Sequence, residues 1–167
     1  MAVYQSTLIT KRESVVDQIP RQEQTETRVA LTSYTAAGAL ADNDIIVLAE
    51  IPVDACIPSI RWWSDDLGTT GTFNLGFYPG NLPVTSLVDT LAVDEDAIGT
   101  LVDVNAAALA NVELRFETLA IDTISKKAWE LAGLSARPSY NTFLVAVTMS
   151  AATTAAGKMA AAIFYTA

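Results

Sequence analysis

The sequence has no histidine, one cysteine and few basic residues, and each shortage excludes a class of function. Without histidine, the chain cannot build a Ser-His-Asp or Cys-His catalytic group or a His-ligated metal site. The single Cys56 cannot form an intrachain disulfide, which fits synthesis in a reducing compartment. Ten Lys and Arg stand against nineteen Asp and Glu, giving a net charge of −9. So acidic a chain is a poor binder of phosphate backbones, and we expect no nucleic-acid partner.

The sequence also lacks the short motifs that mark many enzyme families. It contains no P-loop, no dinucleotide-binding G-x-G-x-x-G, no C-x-x-C pair and no G-x-S-x-G elbow. Its longest apolar region, residues 143–164, is interrupted by threonines, Gly157 and Lys158, so we do not expect it to span a membrane. We predict a protein that is not an enzyme, requires no cofactor or metal and has no membrane partner.

What the sequence does contain is a high proportion of apolar residues arranged in short runs. Hydrophobic residues make up 51% of the 167 residues and the mean hydropathy is +0.31, which is apolar for a soluble monomer. Burial between copies would cover such a surface, so we expect a homo-oligomer. The runs are rich in β-branched and aromatic residues and are separated by Gly, Pro, Asp and Asn. They predict strands at residues 29–35, 44–51, 56–64, 72–78, 112–119, 142–150 and 158–166.

One segment has the pattern of a short helix. Residues 122–134 place apolar side chains on one face, begin with a capping residue at Asp122 or Thr123 and reach a terminating glycine at Gly133. The sequence as a whole therefore predicts a mainly β fold. We expect an antiparallel β-sandwich or a jelly-roll-like barrel, with one short helix and an extended N-terminal arm.

A run of acids in the long connection 81–111 allows two interpretations. Residues 94–102, which open with Asp-Glu-Asp, are predicted to form a second helical turn, because acids favour the positive end of the helix dipole. The alternative is a calcium site within residues 94–99. However, the D-x-[DN]-x-[DN]-G pattern of calcium loops is absent, so we favour the turn.

Residues 1–28 differ in composition from the rest of the chain. They are polar, rich in Gln and Glu and interrupted by Pro20, and they cannot bury much apolar surface alone. We therefore divide the chain into an N-terminal arm, residues 1–28, and a β-sandwich domain, residues 29–167. The arm is either a passive tail or a segment that orders on a partner. Its candidate partner-binding residues are the apolar ones: Val3, Tyr4, Leu8, Val15, Val16 and Ile19.

The stretch "RWWSDDLGTTGTFNLGFYP", residues 61–79, concentrates aromatic and acidic residues. We interpret it as a β-hairpin in which Trp62 joins the aromatic side chains of the second strand in the core. Trp63 then points the other way and needs a second cover, which makes it a candidate partner-binding residue. Asp65 and Asp66 are expected to cap the turn. The alternative is a carbohydrate or metal site, but adjacent residues of a strand point to opposite faces, which suits a shared acid–base task poorly.

Several longer motifs resemble a pattern found in small structural proteins of tailed bacteriophages. The segment 36–44, "AAGALADND", leads through a strand to "IP" and a further strand ending in "WWSDD", and then to "NLGFY". The later "KKAWELAGLSARP" (126–138) and "TTAAGKMAAAIFYTA" (153–167) are similar to the continuation of that pattern. The resemblance covers residues 36–167 and leaves the arm outside.

The resemblance implies a role in the virion. It suggests a capsid decoration, or cement, protein that binds the major capsid protein and itself, with a trimer as one candidate assembly. Such a protein would be made in the host cytoplasm and located on the capsid surface. A tail or head–tail joining subunit is the alternative, and a carbohydrate-binding module or glycosidase that uses Trp63 and the Asp pair is a third hypothesis from a different class.

Overall fold

The structure is a computed structural model that describes residues 3–5, 27–105, 107–114, 123 and 125–166. The strands in these ranges are β1 (Val3–Gln5), β2 (Thr27–Ala36), β3 (Ile45–Pro52), β4 (Cys56–Ser64), β5 (Thr72–Pro79), β6 (Asp94–Asp103), β7 (Leu109–Glu113), β8 (Thr142–Ala151) and β9 (Gly157–Thr166). A short helix, α1 (Ala128–Leu131), and two 3₁₀ turns, Val84–Ser86 and Asp89–Leu91, complete the regular structure of these ranges. No helix within them is long and apolar enough to cross a membrane.

The strands form two sheets. The five-stranded sheet has the order β1-β3-β8-β5-β6, and the four-stranded sheet has the order β2-β9-β4-β7. The pairs are antiparallel, apart from β1, which runs parallel to β3. From β2 to β9, only β5 and β6 are neighbours both along the chain and within a sheet. Eight strands in this order make a jelly roll, so the predicted mainly β sandwich is confirmed.

The main core lies between the two sheets and is rich in aromatic residues. Side chains alternate along each strand, so one face of each sheet points inward. Trp62 of the four-stranded sheet packs on Phe73 of the five-stranded sheet, with ring centroids 4.8 Å apart. Phe77 and Phe143, on neighbouring strands, pack 5.0 Å apart. All four rings are fully buried, and such contacts add to the burial of apolar area.

A second apolar cluster covers part of the outer face of the five-stranded sheet. Its members are Ile45, Val47, Tyr78, Val84, Leu87, Leu144 and Ala146. The connection between β5 and β6, with its two 3₁₀ turns, supplies Val84 and Leu87 and so closes this face. The buried hydroxyl of Tyr78 hydrogen-bonds with Thr148 Oγ1 at 2.8 Å. This sheet is therefore buried on both faces over much of its area.

Six of the seven predicted strands are confirmed to within two residues at each end. The seventh, predicted at 112–119, is observed as Leu109–Glu113, and residues 115–119 lie outside the described ranges. Pro58 has no N–H to donate, and the β4–β9 register shifts between Cys56 and Ser59, where this proline stands. A β-bulge therefore stands at this proline.

The predicted hairpin over 61–79 is wrong. Its two strands exist, but β4 belongs to the four-stranded sheet and β5 to the five-stranded sheet. Residues 65–71 cross between the sheets, with Leu67 fully buried and Gly68 at a φ of 103°. The nitrogens of Thr154 and Ala155 both donate to the Leu67 carbonyl at 3.1 Å. These long-range contacts hold the loop across the end of the sandwich, which no local turn pattern specifies.

The predicted helical turn over 94–102 is also wrong. These residues form β6, which pairs with β5. Asp94 stands opposite Phe77 and Gly99 opposite Leu75, so the strand bulges strongly between them. Pairing with β5 supplies hydrogen bonds that a short, glycine-interrupted helix could not match.

The predicted helix over 122–134 is wrong in its length. Helix α1 is a single turn, Ala128–Leu131, and Gly133 follows it at a φ of 67°, as expected for a terminating glycine. The nitrogen of Ala128 donates to the Ala55 carbonyl at 2.8 Å, and Lys127 forms a β-bridge with Cys56. Lys127, directly before the helix, is thus held in extended conformation against β4. Asp122, one of the predicted caps, lies outside the described ranges.

Candidate partner-binding surface

Among the described residues, several apolar side chains on the outer face of the four-stranded sheet remain exposed. Cross-strand partners share a face, so the pairs of β2 with β9 and of β9 with β4 define its rows. Val29 pairs with Phe164, and Trp63 pairs with Ala160. Leu31 is 69% exposed, Val29 44% and Trp63 37%. We call Val29, Leu31, Trp63, Ala160 and Phe164 the apolar face.

The apolar face is bordered by charges that are partly balanced. The Nε atom of Arg61 lies 3.2 Å from Oε2 of Glu113. Oε1 of Glu113 accepts a hydrogen bond from the Ile60 nitrogen at 2.9 Å, and its other oxygen accepts one from the Ser59 hydroxyl. The carboxylate therefore joins β7 to β4 where Pro58 interrupts regular pairing. Lys158 is exposed on the same face, and the exposed Asp65 accepts a hydrogen bond from its backbone nitrogen, so two basic and two acidic residues border the face.

Trp62 and Trp63 point to opposite faces of β4, as the alternation of side chains along a strand predicts. Trp62 is fully buried in the core, although its aromatic partner Phe73 lies across the sandwich and not on a hairpin partner strand. Trp63 points outward beside Ala160 and retains 37% of its surface exposed. A half-covered indole on a sheet face is a suitable anchor for a protein partner. Its binding role stays a prediction.

Asp65 and Asp66 are structural residues of the loop between the sheets. The Gly68 nitrogen donates to Asp66 Oδ1 at 2.9 Å, as in a turn, which confirms the predicted capping role. Asp65 instead accepts from the Lys158 nitrogen of β9 at 2.8 Å through Oδ2. The two carboxylates thus bond to different backbone groups. Among the described residues, no group of three or more Asp, Glu or Cys side chains is arranged to hold a metal ion.

A second surface lies on β6 and the 3₁₀ turn before it. We call Asp89, Asp94, Glu95 and Asp96, with the exposed Leu91 and Leu101, the acidic edge. The Asn74 side chain ties it together, because its amide donates to Glu95 Oε1 at 3.1 Å and its oxygen accepts from the Leu101 nitrogen at 2.9 Å. The hydrogen bond that protonated Glu95 donates to Asp89, together with burial, raises the pKa of Glu95 to about 7. Burial likewise raises the pKa of Asp94.

We expect the carboxyl pair of Asp89 and Glu95 to make the stability of the domain depend on pH. The pKa of Glu95 lies above its ordinary value of 4.5, so the folded chain binds its proton more tightly than the unfolded chain does. The free energy of unfolding should therefore fall as the pH rises from about 4.5 to about 7. Glu95→Gln cannot titrate and should reduce that slope. Urea unfolding at a series of pH values measures it, with the exposed Asp42→Asn as control. An unchanged slope in Glu95→Gln would contradict the Asp89–Glu95 contact.

The predicted residues of the arm are only partly within the described ranges. Val3 and Tyr4 belong to β1, which extends the five-stranded sheet by pairing in parallel with β3, Val3 opposite Ile45. The other four, Leu8, Val15, Val16 and Ile19, lie outside the described residues. The structure thus places the start of the arm on one sheet and its end, where β2 begins, on the other.

A cleft of about 270 Å³ opens between β6 and β7. It is lined by Thr100, Leu101, Val102, Asp103, Leu109, Val112 and Leu114. Its one carboxylate, Asp103, accepts a hydrogen bond from the Asn105 nitrogen at 2.8 Å and so helps to form the next turn. The lining offers apolar contact at the rim of the sandwich and no pair of groups arranged for acid–base chemistry.

The sequence patterns singled out Trp63 but missed Val29, Leu31 and Phe164. In "VALTSYT" the larger aliphatic residues alternate with Ala and Thr, and alternation alone does not say which set faces the core. The structure turns Val29 and Leu31 outward and buries Ala30 and Thr32. Phe164 likewise points outward, since its neighbour Ile163 in β9 faces inward.

The fold is a jelly roll in which one sheet is covered on its outer face, and its described surface includes the apolar face and the acidic edge. No protein-family model matches the sequence, and no curated protein matches it significantly. Among solved structures, a chain of "Capsid of Ralstonia phage GP4" is similar, with a TM-score of 0.66 and 17% identity over 99% of this chain and 97% of that one. A chain of "Cyanophage Pam1 capsid asymmetric unit" has a TM-score of 0.44 and 18% identity over 92% and 94%. The first similarity shows a shared fold along the whole chain.

Proposed function

We propose that this protein is a non-enzymatic structural protein of a tailed-phage virion, and specifically a capsid decoration protein. The observation that carries the proposal is the shared fold, which extends over 99% of this chain and 97% of a chain from a phage capsid. The sequence motifs at 36–78, 126–138 and 153–167 point to the same class independently. Fold alone does not define function, so the surfaces must supply the rest of the argument.

The surfaces favour binding to other proteins. The apolar face exposes an indole and two aliphatic side chains on a sheet face, which is typical of protein contacts. The two conspicuous carboxylates beside Trp63 are bonded to backbone nitrogens, which argues against the carbohydrate-binding hypothesis. In this proposal the chain contacts the major capsid protein and further copies of itself, with a trimer as one candidate, at the capsid surface.

Cryo-electron microscopy of the virion that carries this protein tests the proposal. A jelly roll of this topology, located in density on the outer capsid lattice, is the expected result. Density in the tail or at the head–tail joint would favour the alternative virion roles. Absence of the protein from purified particles would overturn a virion role altogether.

The arm is proposed to strengthen attachment to the capsid. Deleting residues 2–26 keeps β2 whole and should leave the domain folded, because the described members of both apolar clusters all follow position 26. We expect binding to particles to weaken about tenfold or more, since burying two or three aliphatic side chains contributes several kcal/mol before the cost of ordering.

The matched control is a full-length chain in which the order of residues 6–19 is scrambled, so that length and charge are preserved. Sedimentation of labelled protein with particles measures binding, and circular dichroism confirms folding. Equal binding by the deleted and complete chains would make the arm a passive tail. Loss of folding on deletion would show instead that β1 is an essential strand of the sandwich.

A further inference from the structure

The strands that border the two sheets differ in how well a further strand could pair with them. Within the described part of the chain, β1 and β6 border the five-stranded sheet, and β2 and β7 border the four-stranded sheet. Strand β1 has only three residues. Strand β6 shifts register twice against β5, and β7 shifts register against β4 and contains Asn111 at a φ of 57°. Short length and irregular backbone prevent a continuous ladder with another strand.

Strand β2 has none of these protective features. It pairs with β9 over ten consecutive residues without a register shift, whereas each of the other antiparallel pairs contains a shift. It contains no proline, and its one charged residue, Arg28, stands near its start. Pairing with β9 uses one side of the strand, so the N–H and C=O groups of alternate residues point away from β9. We call that side the β2 edge, and its geometry suits the addition of a strand.

The side chains along the β2 edge indicate what an added strand would carry. Residues directly opposite each other in paired strands share a face of the sheet. Val29 and Leu31 point to the apolar face and are 44% and 69% exposed. Aliphatic side chains at every second position of an added strand would therefore lie beside them. The net charge of −9 favours a neutral or basic segment over an acidic one.

The arm of the same chain and a second copy are poorer occupants of the β2 edge. To pair with β2 in a tight hairpin, the arm would have to reverse just before Thr27. Two-residue hairpin turns favour Gly and Asn, and residues 6–26 contain neither. Pro20 also has no N–H for a ladder. Pairing with a second copy would bring two chains of net charge −9 side by side.

We propose that the β2 edge binds an extended segment of another protein, which adds a strand to the four-stranded sheet. The segment is neutral or basic and places aliphatic side chains beside Val29 and Leu31. Backbone hydrogen bonds supply affinity in such a contact, and the alternate side chains supply specificity. The inference rests on the proposed function in one respect, which is that the segment belongs to another protein of the virion.

Amide hydrogen exchange with a synthetic strand tests this assignment. The probe is the peptide Lys-Val-Thr-Val-Thr-Val-Lys, which alternates aliphatic side chains and carries no acidic residue. In the chain alone, alternate amides of residues 29–33 should exchange freely, because they point away from β9. Saturating probe should slow their exchange about tenfold or more, since it binds only the folded, paired state. The control peptide, Lys-Val-Thr-Pro-Pro-Val-Lys, has the same charge but cannot form the ladder and should leave the exchange unchanged.

A matched pair of variants distinguishes the β2 edge from other exposed surfaces. Leu31→Ser removes an aliphatic side chain beside the β2 edge, and Leu101→Ser makes the same change on β6. Both leucines are more than half exposed, so both variants should fold, which circular dichroism checks. We expect Leu31→Ser to weaken binding of the probe about threefold or more and Leu101→Ser to leave it unchanged.

Several results would overturn the proposal. Unchanged exchange with the probe, equal protection by the proline peptide, or equal losses in the two variants would show that the probe does not pair with β2. Protection of the alternate amides in the chain alone would show that the β2 edge already has an occupant. That occupant is a second copy if protection rises with protein concentration, and the arm if it does not.

Exchange measured on particles separates this inference from the proposed function. The chain bound to particles should show the same protection in β2 as the chain bound to the probe. Binding to particles with unchanged exchange in β2 would overturn strand addition and leave the virion role standing. Strand addition by the probe to a protein that is absent from particles would do the reverse.

Discussion

Replacing Trp62 by alanine should lower the free energy of unfolding by about 3–5 kcal/mol, because it removes the largest fully buried side chain from the core. The indole packs on Phe73 of the opposite sheet at 4.8 Å, so its loss opens a cavity between the sheets. Within the described residues its Nε1 has no hydrogen-bond partner. Trp62→Phe should therefore cost clearly less than Trp62→Ala, because no hydrogen bond is lost and much of the ring volume remains.

The matched control for Trp62 is its neighbour. Trp63→Ala makes the same change of side chain on the outward face, where 37% of the residue is exposed, and should cost about 1 kcal/mol or less. Urea unfolding followed by far-ultraviolet circular dichroism measures both, since tryptophan fluorescence changes with the substitutions. Equal costs for the two variants would contradict the assignment of Trp62 to the core and of Trp63 to the surface.

Gly76→Ala should be nearly as disruptive, with an expected loss of about 3 kcal/mol. A Cβ at position 76 would overlap the backbone of Asp94 and Glu95, where β6 crosses closely over β5. Backbone atoms cannot rotate away as a flexible side chain can, so β6 must separate from β5. The expected result is both lower stability and a smaller pH dependence, because the Asp89–Glu95 contact lies at the same place.

Gly38→Ala is the control for Gly76→Ala. Among the described residues, no atom beyond the chain neighbours of Gly38 lies within 4 Å of a Cβ built at that position. Its backbone requires no left-handed conformation, so alanine should be neutral or stabilise by about 0.5 kcal/mol through the unfolded state. Full stability of Gly76→Ala in the same urea series would mean that β6 does not approach β5 as the structure has it.

The jelly roll explains how one chain can offer two unlike surfaces. The β5–β6 connection covers the outer face of one sheet, while apolar side chains on the outer face of the other remain exposed among the described residues. The same connection carries Asp89 and Leu91 to the free border of the five-stranded sheet. The segment that covers one sheet thus also contributes to the acidic edge.

The sequence by itself determined the strands and the general class of fold. Alternation, β-branched residues and turn formers are local signals, and they located six strands to within two residues. The bulge at Pro58 and the separation of Trp62 from Trp63 have equally local causes, a missing N–H and the two-residue period of a strand. The absence of histidine likewise excluded the common catalytic groups without reference to any structure.

Only the tertiary structure decided which strands pair and which faces stay exposed. Residues 61–79 have the local pattern of a hairpin, yet β4 and β5 separate because the buried Leu67 and its bonds to Thr154 and Ala155 carry the loop between the sheets. Residues 94–102 open with three acidic residues, as the first turn of a helix often does, yet pairing with β5 makes them a strand. Alternation in β2 gives two sets of side chains, and only the position of the opposite sheet turned Leu31 outward. Pairing and burial depend on residues distant in the chain, and local periodicity carries no information about them.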